Sequence, residues 1–535
     1  MIKSKIPFLF ILVILSFIAI SIPVFKLDMW LGHDVSAHYQ RALSVNAELS
    51  NYQIPPTFDF FNNGKLGYAW NLFYPPLTSI LFSLINIISL NSISVLLQLK
   101  ISAVIISIIA ILSSYYMGVY FYNRKDAGCI SSILFITSSY FLNNYYIRFS
   151  IGELLSHALI PLMIVGIYAS IKNEKQKILL PISSSLILLS NIPSVIVCII
   201  ACALIYLFEI KKVLNRNFIL FAFYSVIFIV MSTSFYTIPL IYEQKTDDIW
   251  AFSNINNTFY RMWELAPSLS DLLTGDDSLY SDPSNHVRSH RTYGIPLTIL
   301  FFVGISLVYK KEYLKSAIAS AIILTLMASK FFPWYAINDT FNIITFIQFP
   351  WRILMFSSTI FVLISTYTML YILDKKSYGL FISIILTSII YTSYITNVAL
   401  NKNVNENSPI LSRIYKDYLP KDGNIDIIES KKKTQNQESN LFEISFKNGY
   451  PIYSIKEKTN ELELPVIKNN LIDIYINGEK TSDSADGYFI KVSSSDDIMT
   501  IELRPSIILY IGYAISIISI VSSIFFIYII WRRKN

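Results

Sequence analysis

Charged residues are scarce in this sequence. Only 15% of the 535 residues are Asp, Glu, Lys or Arg, whereas a soluble protein carries roughly 25%. Hydrophobic residues make up 53% of the chain, and the mean hydropathy is +0.50. Because long apolar stretches recur from end to end, a soluble protein with a single anchor is excluded. The sequence predicts a polytopic α-helical membrane protein.

Cysteine is also scarce, and several catalytic motifs are missing. Cys129, Cys198 and Cys202 lie in apolar stretches without His or carboxylate neighbours. We therefore expect three small buried side chains, and neither a disulfide nor a metal site. The sequence contains no P-loop, no GxGxxG, no serine nucleophile elbow and no EF-hand. No patch of basic and aromatic residues indicates a nucleic-acid partner.

The alternation of apolar stretches and basic loops predicts about twelve transmembrane helices. Every loop assigned to the cytoplasm carries at least two basic residues, as the positive-inside rule requires, and both termini are then cytoplasmic. The first helix lacks a clean cleavage site, so we expect it to be retained. The apolar stretch 76–90 is too short to cross and predicts an interfacial or re-entrant helix. The predicted crossings are 6–25, 95–122, 127–143, 154–171, 178–191, 192–209, 217–240, 294–309, 314–331, 351–373, 379–397 and 507–530.

Residues 398–505 differ in character from the rest of the chain. They are polar, and short runs alternate between apolar and polar residues, with turn signals such as Asn477-Gly478 between them. This pattern predicts a small extracytoplasmic β-sandwich before the last transmembrane helix, while 401–440 is expected to be partly disordered. The predicted domains are 1–397 (transmembrane, with outer loops 26–76 and 241–293), 398–505 (β-rich) and 506–535 (last helix and basic tail). The predicted strands are 441–446, 472–476, 488–492 and 499–503.

Asp34, His38 and Arg41 lie at i, i+4 and i+7 in the first outer loop. If 35–50 is helical, their side chains share one face. A carboxylate beside His and Arg near a low-dielectric boundary suits a general base or a metal-binding cluster. The alternative is that Asp34 is only the N-cap of that helix, and the spacing supports both interpretations equally. His33 and His38 are too few and too irregular for a zinc motif.

Glu153 and Arg352 are the other candidate site residues in the apolar part of the chain. Ser150-x-x-Glu153 before an apolar run is typical of a capping box, although a capping Glu can still face a cleft. Arg352 follows Trp351 and is explained either as an interfacial anchor or as a clamp on a phosphate. The outer loop 241–293 is acidic, which indicates a solvated face first and weak divalent binding second.

Several motifs together resemble a known class of enzyme. The pattern resembles the GT-C superfamily of polyprenyl-phosphate-sugar-dependent glycosyltransferases. It is most similar to the bacterial 6-pyruvoyl-tetrahydropterin synthase-related membrane domain and to YfhO-like membrane proteins, over nearly the whole chain. No soluble pterin-enzyme domain is seen. The motifs are Gly32-His-Asp34, His38, Arg41, Gly67-Tyr68, Phe73-Tyr74-Pro-Pro-Leu77, Arg148, Gly152-Glu153 and Gln348-Phe-Pro-Trp-Arg352.

The resemblance implies an inverting glycosyltransferase that acts on a cell-envelope acceptor at the outer membrane face. Asp34 is then the general base, and Glu153 orients the acceptor or helps to hold a divalent ion. Arg148 or Arg352 stabilises the leaving lipid phosphate. Because the family often has two adjacent acidic residues where this chain has His33-Asp34, a requirement for Mg²⁺ or Mn²⁺ stays open. The residues expected to bind substrate are His33, His38, Arg41, Tyr68, Tyr74, Arg148, Gln348 and Arg352.

Two other functions fit the sequence. One is a transporter or flippase for a lipid-linked envelope precursor, which the scarcity of mid-membrane charge disfavours. The other is a non-catalytic envelope scaffold or sensor whose β-rich domain binds glycan. For the glycosyltransferase, the expected partners are a polyprenyl-phosphate sugar donor, an envelope polymer or glycolipid acceptor, and the lipid bilayer.

Overall fold

The protein is mostly helical, with a small β-rich region near the C-terminus. The computed structural model describes residues 5–26, 32–62, 64–246, 249–250, 265–275, 291–308, 311–334, 336, 347–400, 415–420, 424–438, 442–455, 462–481, 487–492 and 499–534. The described α-helices are Lys5–Lys26, Val35–Ser50, Trp70–Phe73, Leu77–Ile88, Val95–Tyr122, Lys125–Ile136, Ser139–Leu142, Ile151–Ile171, Leu179–Leu188, Ile192–Phe208, Ile210–Val213, Arg216–Ser232, Ser234–Thr246, Leu269–Thr274, Ile295–Val308, Glu312–Ala328, Leu354–Asp374, Tyr378–Leu400, Ile425–Glu438 and Ile507–Lys534. A π-helix spans Asn143–Arg148, and 3₁₀ turns span Lys175–Ile178, Pro350–Ile353 and Lys416–Tyr418.

Six helices in the described residues are long and apolar enough to cross a membrane, or seven if one bent pair is a single span. The twelve predicted crossings are therefore not all represented by helices of membrane length. Crossing 178–191, for example, contains the ten-residue helix Leu179–Leu188. The helix predicted to be too short to cross, at 76–90, is the twelve-residue Leu77–Ile88. The six helices are Ile6–Lys26, Val95–Tyr122, Ile151–Ile171, Pro350–Asp374, Tyr378–Ile395 and Ile507–Phe525.

The predicted crossing 217–240 is not one straight helix. It consists of Arg216–Ser232 and Ser234–Lys245, which meet at an angle of 76°. Thr233 donates its hydroxyl to the carbonyl of Ile229 at 2.8 Å, a bond that competes with the helical ladder and favours a bend. Past the break, the Phe235 N–H donates to the Ser516 hydroxyl at 2.9 Å. A side chain of the C-terminal helix thus accepts a hydrogen bond from a backbone N–H that the break leaves without a helical partner.

The chain divides into two compact units, each built from three stretches. The first unit comprises Met1–His38, Leu99–Ile227 and Asn256–Ser408. At its centre lie Ile151–Ile171 and Pro350–Asp374, which are almost wholly buried, whereas Tyr378–Ile395 is mostly exposed. Close packing uses small residues: a Cβ on Gly304 would lie 2.7 Å from Ile364 Cγ2. The first unit therefore surrounds two apolar helices with others that expose apolar side chains, as expected in lipid.

The second unit comprises Tyr39–Gln98, Phe228–Ile255 and Pro409–Asn535. Strands β1 to β7 are Phe442–Lys447, Tyr450–Ile455, Leu462–Ile467, Ile472–Ile476, Glu479–Thr481, Phe489–Val492 and Met499–Pro505. They form a five-stranded antiparallel sheet, in the order β1-β2-β7-β4-β5, and a two-stranded sheet of β3 and β6. Both sheets contribute to one hydrophobic core, which also takes Phe58, Phe60, Leu72 and Phe73 from the first outer loop.

The segment 401–440 contains one described α-helix. Residues 401–414 lie outside the described part of the chain, but Ile425–Glu438 is a helix. Ile428 is buried in a small aromatic cluster, and the Lys431 ammonium lies 3.1 Å from the Glu463 carboxylate. Partial disorder in 401–440 stays a prediction, and within this helix Ile425 and Ile428, three residues apart, pack in the cluster with Ile467 and Phe489 of the strands.

Candidate functional site

The Glu153 carboxylate is the centre of a buried polar cluster in the first unit. Glu153 is fully buried in the first turn of Ile151–Ile171. Its Oε1 accepts hydrogen bonds from the Tyr140 hydroxyl at 2.5 Å and from Asn144 Nδ2 at 3.2 Å. Its Oε2 accepts from Arg148 Nη1 at 2.7 Å and from Arg352 Nε at 3.0 Å. The capping-box interpretation is wrong, since Ser150 makes no side-chain cap bond and the carboxylate turns inward instead.

Arg148 is positioned by an unusual backbone segment. It is the last residue of the π-helix Asn143–Arg148, and Phe149 follows with a φ of 53°, in the left-handed region. For a bulky residue this conformation is strained, and both π-helical turns and such strain are concentrated at functional sites. Burial alone would lower the pKa of Arg148, but the charges of Glu153 and Asp34 outweigh it and the pKa is raised. The guanidinium is therefore held as a cation.

Arg352 joins the same carboxylate from the other central helix. It lies in the 3₁₀ turn Pro350–Ile353, which leads into Leu354–Asp374. Its Nη1 donates to Gln348 Oε1 at 2.7 Å and to the carbonyl of Ile347 at 3.0 Å. Gln348 itself has a positive φ of 63°. For Nη2 of Arg352 there is no hydrogen-bond acceptor among the described residues.

Asp34 completes the cluster at its more exposed edge. Its Oδ2 lies 3.8 Å from Arg148 Nη2, and its side chain is 40% exposed. The Asp34 backbone N–H donates to the Arg148 carbonyl at 3.0 Å. A Cβ on Gly32 would lie 3.1 Å from Phe149 Cβ and 3.3 Å from the Arg148 carbonyl. Only glycine allows the backbone at residue 32 to approach Arg148 and Phe149 so closely. As a result, the segment Gly32–Asp34 packs against the end of the π-helix.

Asp34 also stands at the start of the next helix. It directly precedes Val35–Ser50, so the condition that residues 35–50 are helical is met. Its carbonyl accepts from the His38 N–H at 3.1 Å. Asp34 therefore occupies the cap position, while its carboxylate lies beside Arg148. His38 is buried and His33 is partly buried.

The buried part of the cluster is positively charged. Two guanidiniums share one buried carboxylate, so Arg148, Arg352 and Glu153 carry a formal charge of +1, which the half-exposed Asp34 balances. Both central helices also begin here, and helix N-termini favour anions. The arrangement can therefore hold an anionic group beside a carboxylate that reaches solvent.

The donor set does not fit a divalent cation. The two oxygens of Glu153 already accept four hydrogen bonds, and a cationic guanidinium lies between Glu153 and Asp34. The part of the chain that the structure describes contains no group of three or more His, Cys, Asp or Glu side chains suited to a metal. Asp271, in the acidic outer loop, forms a capping box with Ser268, and Asp276, Asp277 and Asp282 lie outside the described residues.

The remaining predicted site residues belong to the second unit. The guanidinium of buried Arg41 donates to Thr78 at 3.1 Å and to Ser79 at 2.6 Å, and lies over the Tyr74 ring at 3.7 Å. Burial lowers the pKa of Arg41. The Tyr68 hydroxyl donates to the Tyr415 carbonyl at 2.5 Å. These contacts give the Tyr-Pro-Pro-Leu motif a packing role in the second unit.

Sequence reasoning missed several members of the cluster. Tyr140 and Asn144 both donate hydrogen bonds to Glu153. Arg291 was also missed, although its guanidinium lies 3.4 Å from the centre of the Trp351 ring. The one available signal was the concentration of Tyr and Asn in Tyr140–Arg148, which is unusual beside an apolar crossing.

Fold and site together define a helical membrane protein with a charge cluster at the start of its two central helices. No protein-family model matches the chain, and no curated protein matches it either. The function is therefore argued from the cluster itself.

Proposed function

We propose that the protein is an inverting glycosyltransferase that uses a polyprenyl-phosphate sugar and acts on a cell-envelope acceptor. Asp34 takes the proton of an acceptor hydroxyl, and the acceptor oxygen attacks the anomeric carbon from the face opposite the phosphate. The bond from that carbon to the phosphate oxygen breaks, and polyprenyl phosphate leaves with its electron pair. The product is a glycoside of inverted configuration. No metal ion takes part in this scheme.

One observation carries the proposal: a half-exposed carboxylate lies 3.8 Å from a buried guanidinium whose own counterion is Glu153. A general base must reach the acceptor, and Asp34 alone among the two carboxylates of the cluster is exposed enough to do so. The growing charge on the leaving phosphate needs preorganised cations. Arg148 and Arg352 are held in place before any ligand binds, and Nη2 of Arg352 can meet a phosphate oxygen.

Glu153 is a positioning residue in this scheme. All its hydrogen-bonding capacity is used within the protein, so it fixes the two arginines and does not touch the acceptor. The resemblance to GT-C enzymes, in which an Asp of the first outer loop is the base, supports the same assignment for Asp34.

The proposed topology follows from the basic loops. About twelve crossings, some made of short or broken helices, place both termini in the cytoplasm and the β-rich domain outside. The lipid-linked donor then enters from the outer leaflet.

Asp34→Asn tests the proposal. Full-length protein is purified in detergent and supplied with labelled polyprenyl-phosphate sugars and envelope extracts, and transfer is followed by mass spectrometry. We expect transfer by the natural chain and a loss of about 10²–10⁴-fold in the variant, as when a general base is removed. Asp374→Asn is the control, because Asp374 also pairs with an arginine, Arg124, but is not part of the cluster. Equal activity of Asp34→Asn and the natural chain would refute the assignment.

A second candidate function is transport of a lipid-linked precursor. It is favoured by one observation: Glu153, His157 and Arg352 are all buried within two candidate membrane spans. Ionisable groups in such places are typical of transport pathways. Movement of a labelled lipid-linked sugar across the liposome membrane, without sugar transfer, would favour this function.

A further inference from the structure

The second unit contains a cavity of about 510 Å³. All of its lining residues belong to that unit. Its floor is formed by strands β4 and β7, and its walls are residues 52–57 and the start of the C-terminal helix. The volume lies within the range of roughly 300–1,000 Å³ that is usual for small-molecule sites.

The floor of the cavity is a polar face of the five-stranded sheet. Tyr475 is paired with Glu502 across the two strands, and Asp473 is paired with Arg504. Since alternate residues of a strand share a face, these four side chains lie together. The Arg504 guanidinium is 4.1 Å from the centre of the Tyr475 ring and donates to the Glu502 carboxylate. Lys447 Nζ lies 3.3 Å from the same carboxylate.

Both carboxylates of this floor are paired with cations. Lys447 and Arg504 both bind Glu502, and Asp473 binds Lys480 at 2.8 Å. The floor therefore offers both acceptors and donors to a ligand that is rich in hydroxyl groups, because carboxylates accept and guanidiniums donate hydrogen bonds.

The walls of the cavity carry several tyrosines. Tyr52 and Tyr510 line it and are 77% and 55% exposed. Tyr450 and Tyr513 also line the cavity. The C–H face of a sugar ring is apolar and packs on an aromatic ring, while its hydroxyls reach the polar floor. A sugar residue could therefore pack on the tyrosines and form hydrogen bonds with the charged groups of the floor.

The rim of the cavity is apolar on the side where the C-terminal helix begins. Ile507, the first residue of the candidate span Ile507–Phe525, is 61% exposed, and Ile54 is 77% exposed. Tyrosines at the end of a span favour the membrane interface. An acyl chain can therefore lie on the rim while its headgroup occupies the cavity.

We propose that this cavity binds a neutral sugar residue, presented either by a soluble glycan or as the headgroup of a glycolipid. The site is separate from the Asp34 cluster, and binding is measured without any sugar transfer. Failure of one proposal therefore leaves the other standing.

The test uses the full-length protein in phosphatidylcholine nanodiscs. Maltose and N,N′-diacetylchitobiose are the soluble probes, followed by saturation-transfer NMR. Monoglucosyl diacylglycerol is the lipid probe, followed by native mass spectrometry, with phosphatidylglycerol as the anionic comparison. The variants are Tyr52→Ala, Tyr510→Ala and Glu502→Gln. Tyr378→Ala is the matched control, an exposed tyrosine of the first unit.

We expect at least one sugar probe to bind the natural chain and the Tyr378→Ala variant equally. Tyr52→Ala and Tyr510→Ala should each weaken binding roughly fivefold, the loss expected for one aromatic contact. If maltose or chitobiose binds, the natural ligand is a soluble glycan. If only the glucolipid is retained, the natural ligand is the headgroup of a glycolipid. The proposal is overturned if none of the three sugar probes binds, or if all three cavity variants bind normally. Retention of phosphatidylglycerol in preference to the glucolipid would also overturn it.

Discussion

Glu153 accepts hydrogen bonds from four side chains and exposes no surface. Its charge is therefore stabilised by protein groups and not by water. A buried carboxylate between two guanidiniums removes the repulsion between them. Removing one partner of such a cluster leaves uncompensated charge in a low-dielectric region, which is among the most destabilising of single changes.

We expect Glu153→Gln to lower the free energy of unfolding by about 3–5 kcal/mol. Thermal unfolding of the protein in detergent measures the change. Glu312→Gln is the control, because Glu312 is exposed and its ion pair with Lys315 lies on the surface, where pairs contribute about 0–1 kcal/mol. A variant as stable as the natural chain would mean that the two arginines do not need this counterion.

Glu48 gives the second unit a pH-dependent stability. Its carboxyl is buried, with Asn71 Nδ2 donating to Oε1 at 3.1 Å and Ser44 donating to the same oxygen. Burial, and then the charge of Asp59, raise the pKa of Glu48 well above its usual range. At low pH both the folded and the unfolded chain bind this proton. As the pH rises through the ordinary carboxyl range, only the unfolded chain loses it, and stability falls until the raised pKa is passed.

Glu48→Gln should therefore raise the melting temperature relative to the natural chain, with a difference that grows from about pH 5 to about pH 8. The amide keeps an acceptor for Ser44 and Asn71 and has no charge to bury. Melting curves at several pH values measure the effect, and Glu479→Gln, at an exposed position, is the control. A difference that stays constant with pH would show that Glu48 is already ionised in the folded protein.

At the scale of single residues, the sequence indicated the charged members of the cluster. Arg148, Glu153 and Arg352 stood out because charges are rare near apolar segments. Tyr140 and Asn144 did not, because their approach to Glu153 depends on a π-helix, and no residue pattern distinguishes i→i+5 bonding from an ordinary helix end. Whether Glu153 caps its helix or faces inward was likewise decided by tertiary partners.

The π-helix Asn143–Arg148 is the element that assembles the cluster, and Gly32 lies against its C-terminal end. We expect Gly32→Ala to push Asp34 away from Arg148, because the new Cβ would lie 2.6 Å from Val35 Cγ2 and 3.1 Å from Phe149 Cβ. A displacement near 1 Å can cost about 10²-fold in rate. Transfer activity should fall far more than the melting temperature.

The control for this substitution is Gly379→Ala. A Cβ on Gly379 meets nothing within 4 Å, so activity and stability should stay near those of the natural chain. Equal effects of the two substitutions on activity would show that the fit of Gly32 against the π-helix has no functional role.

Strands were predicted where apolar and polar residues alternate clearly. They were missed where proline or a run of polar residues interrupts that alternation. The runs near β1, β4, β6 and β7 were recognised. Strands β2 and β3 contain Pro451 and Pro465, which weaken a strand pattern, and β5 is three polar residues. The break at Thr233 was not predicted either, because residues 217–240 form one continuous apolar run. The bend is stabilised by Ser516, which is distant in the sequence.

For the whole molecule, the membrane character was evident from composition, but the number of crossings was not. Hydropathy measures apolar length, while short paired helices, broken helices and interfacial helices give the same signal as full spans. The proposed orientation therefore needs a direct measurement.

We expect a cysteine in place of Glu479 to react with a membrane-impermeant maleimide in intact cells, and a cysteine in place of Lys172 to react only after permeabilisation. Both positions are exposed, so access depends on the side of the membrane. The background chain has Ser in place of Cys129, Cys198 and Cys202. Labelling of both positions in intact cells, or of neither, would contradict the proposed topology.

The second unit is assembled from distant parts of the chain, and this affects how the protein is made. Phe58, Phe60, Leu72 and Phe73 share a core with strands β1 to β7, yet about 310 residues separate Gln98 from Pro409. At about 5–20 residues per second, the ribosome needs roughly 15–60 s to bridge that distance. During this interval the aromatic residues of the first loop have no strands to pack on. Until the last hundred residues of the chain emerge, the membrane surface or a chaperone must therefore cover these first-loop side chains.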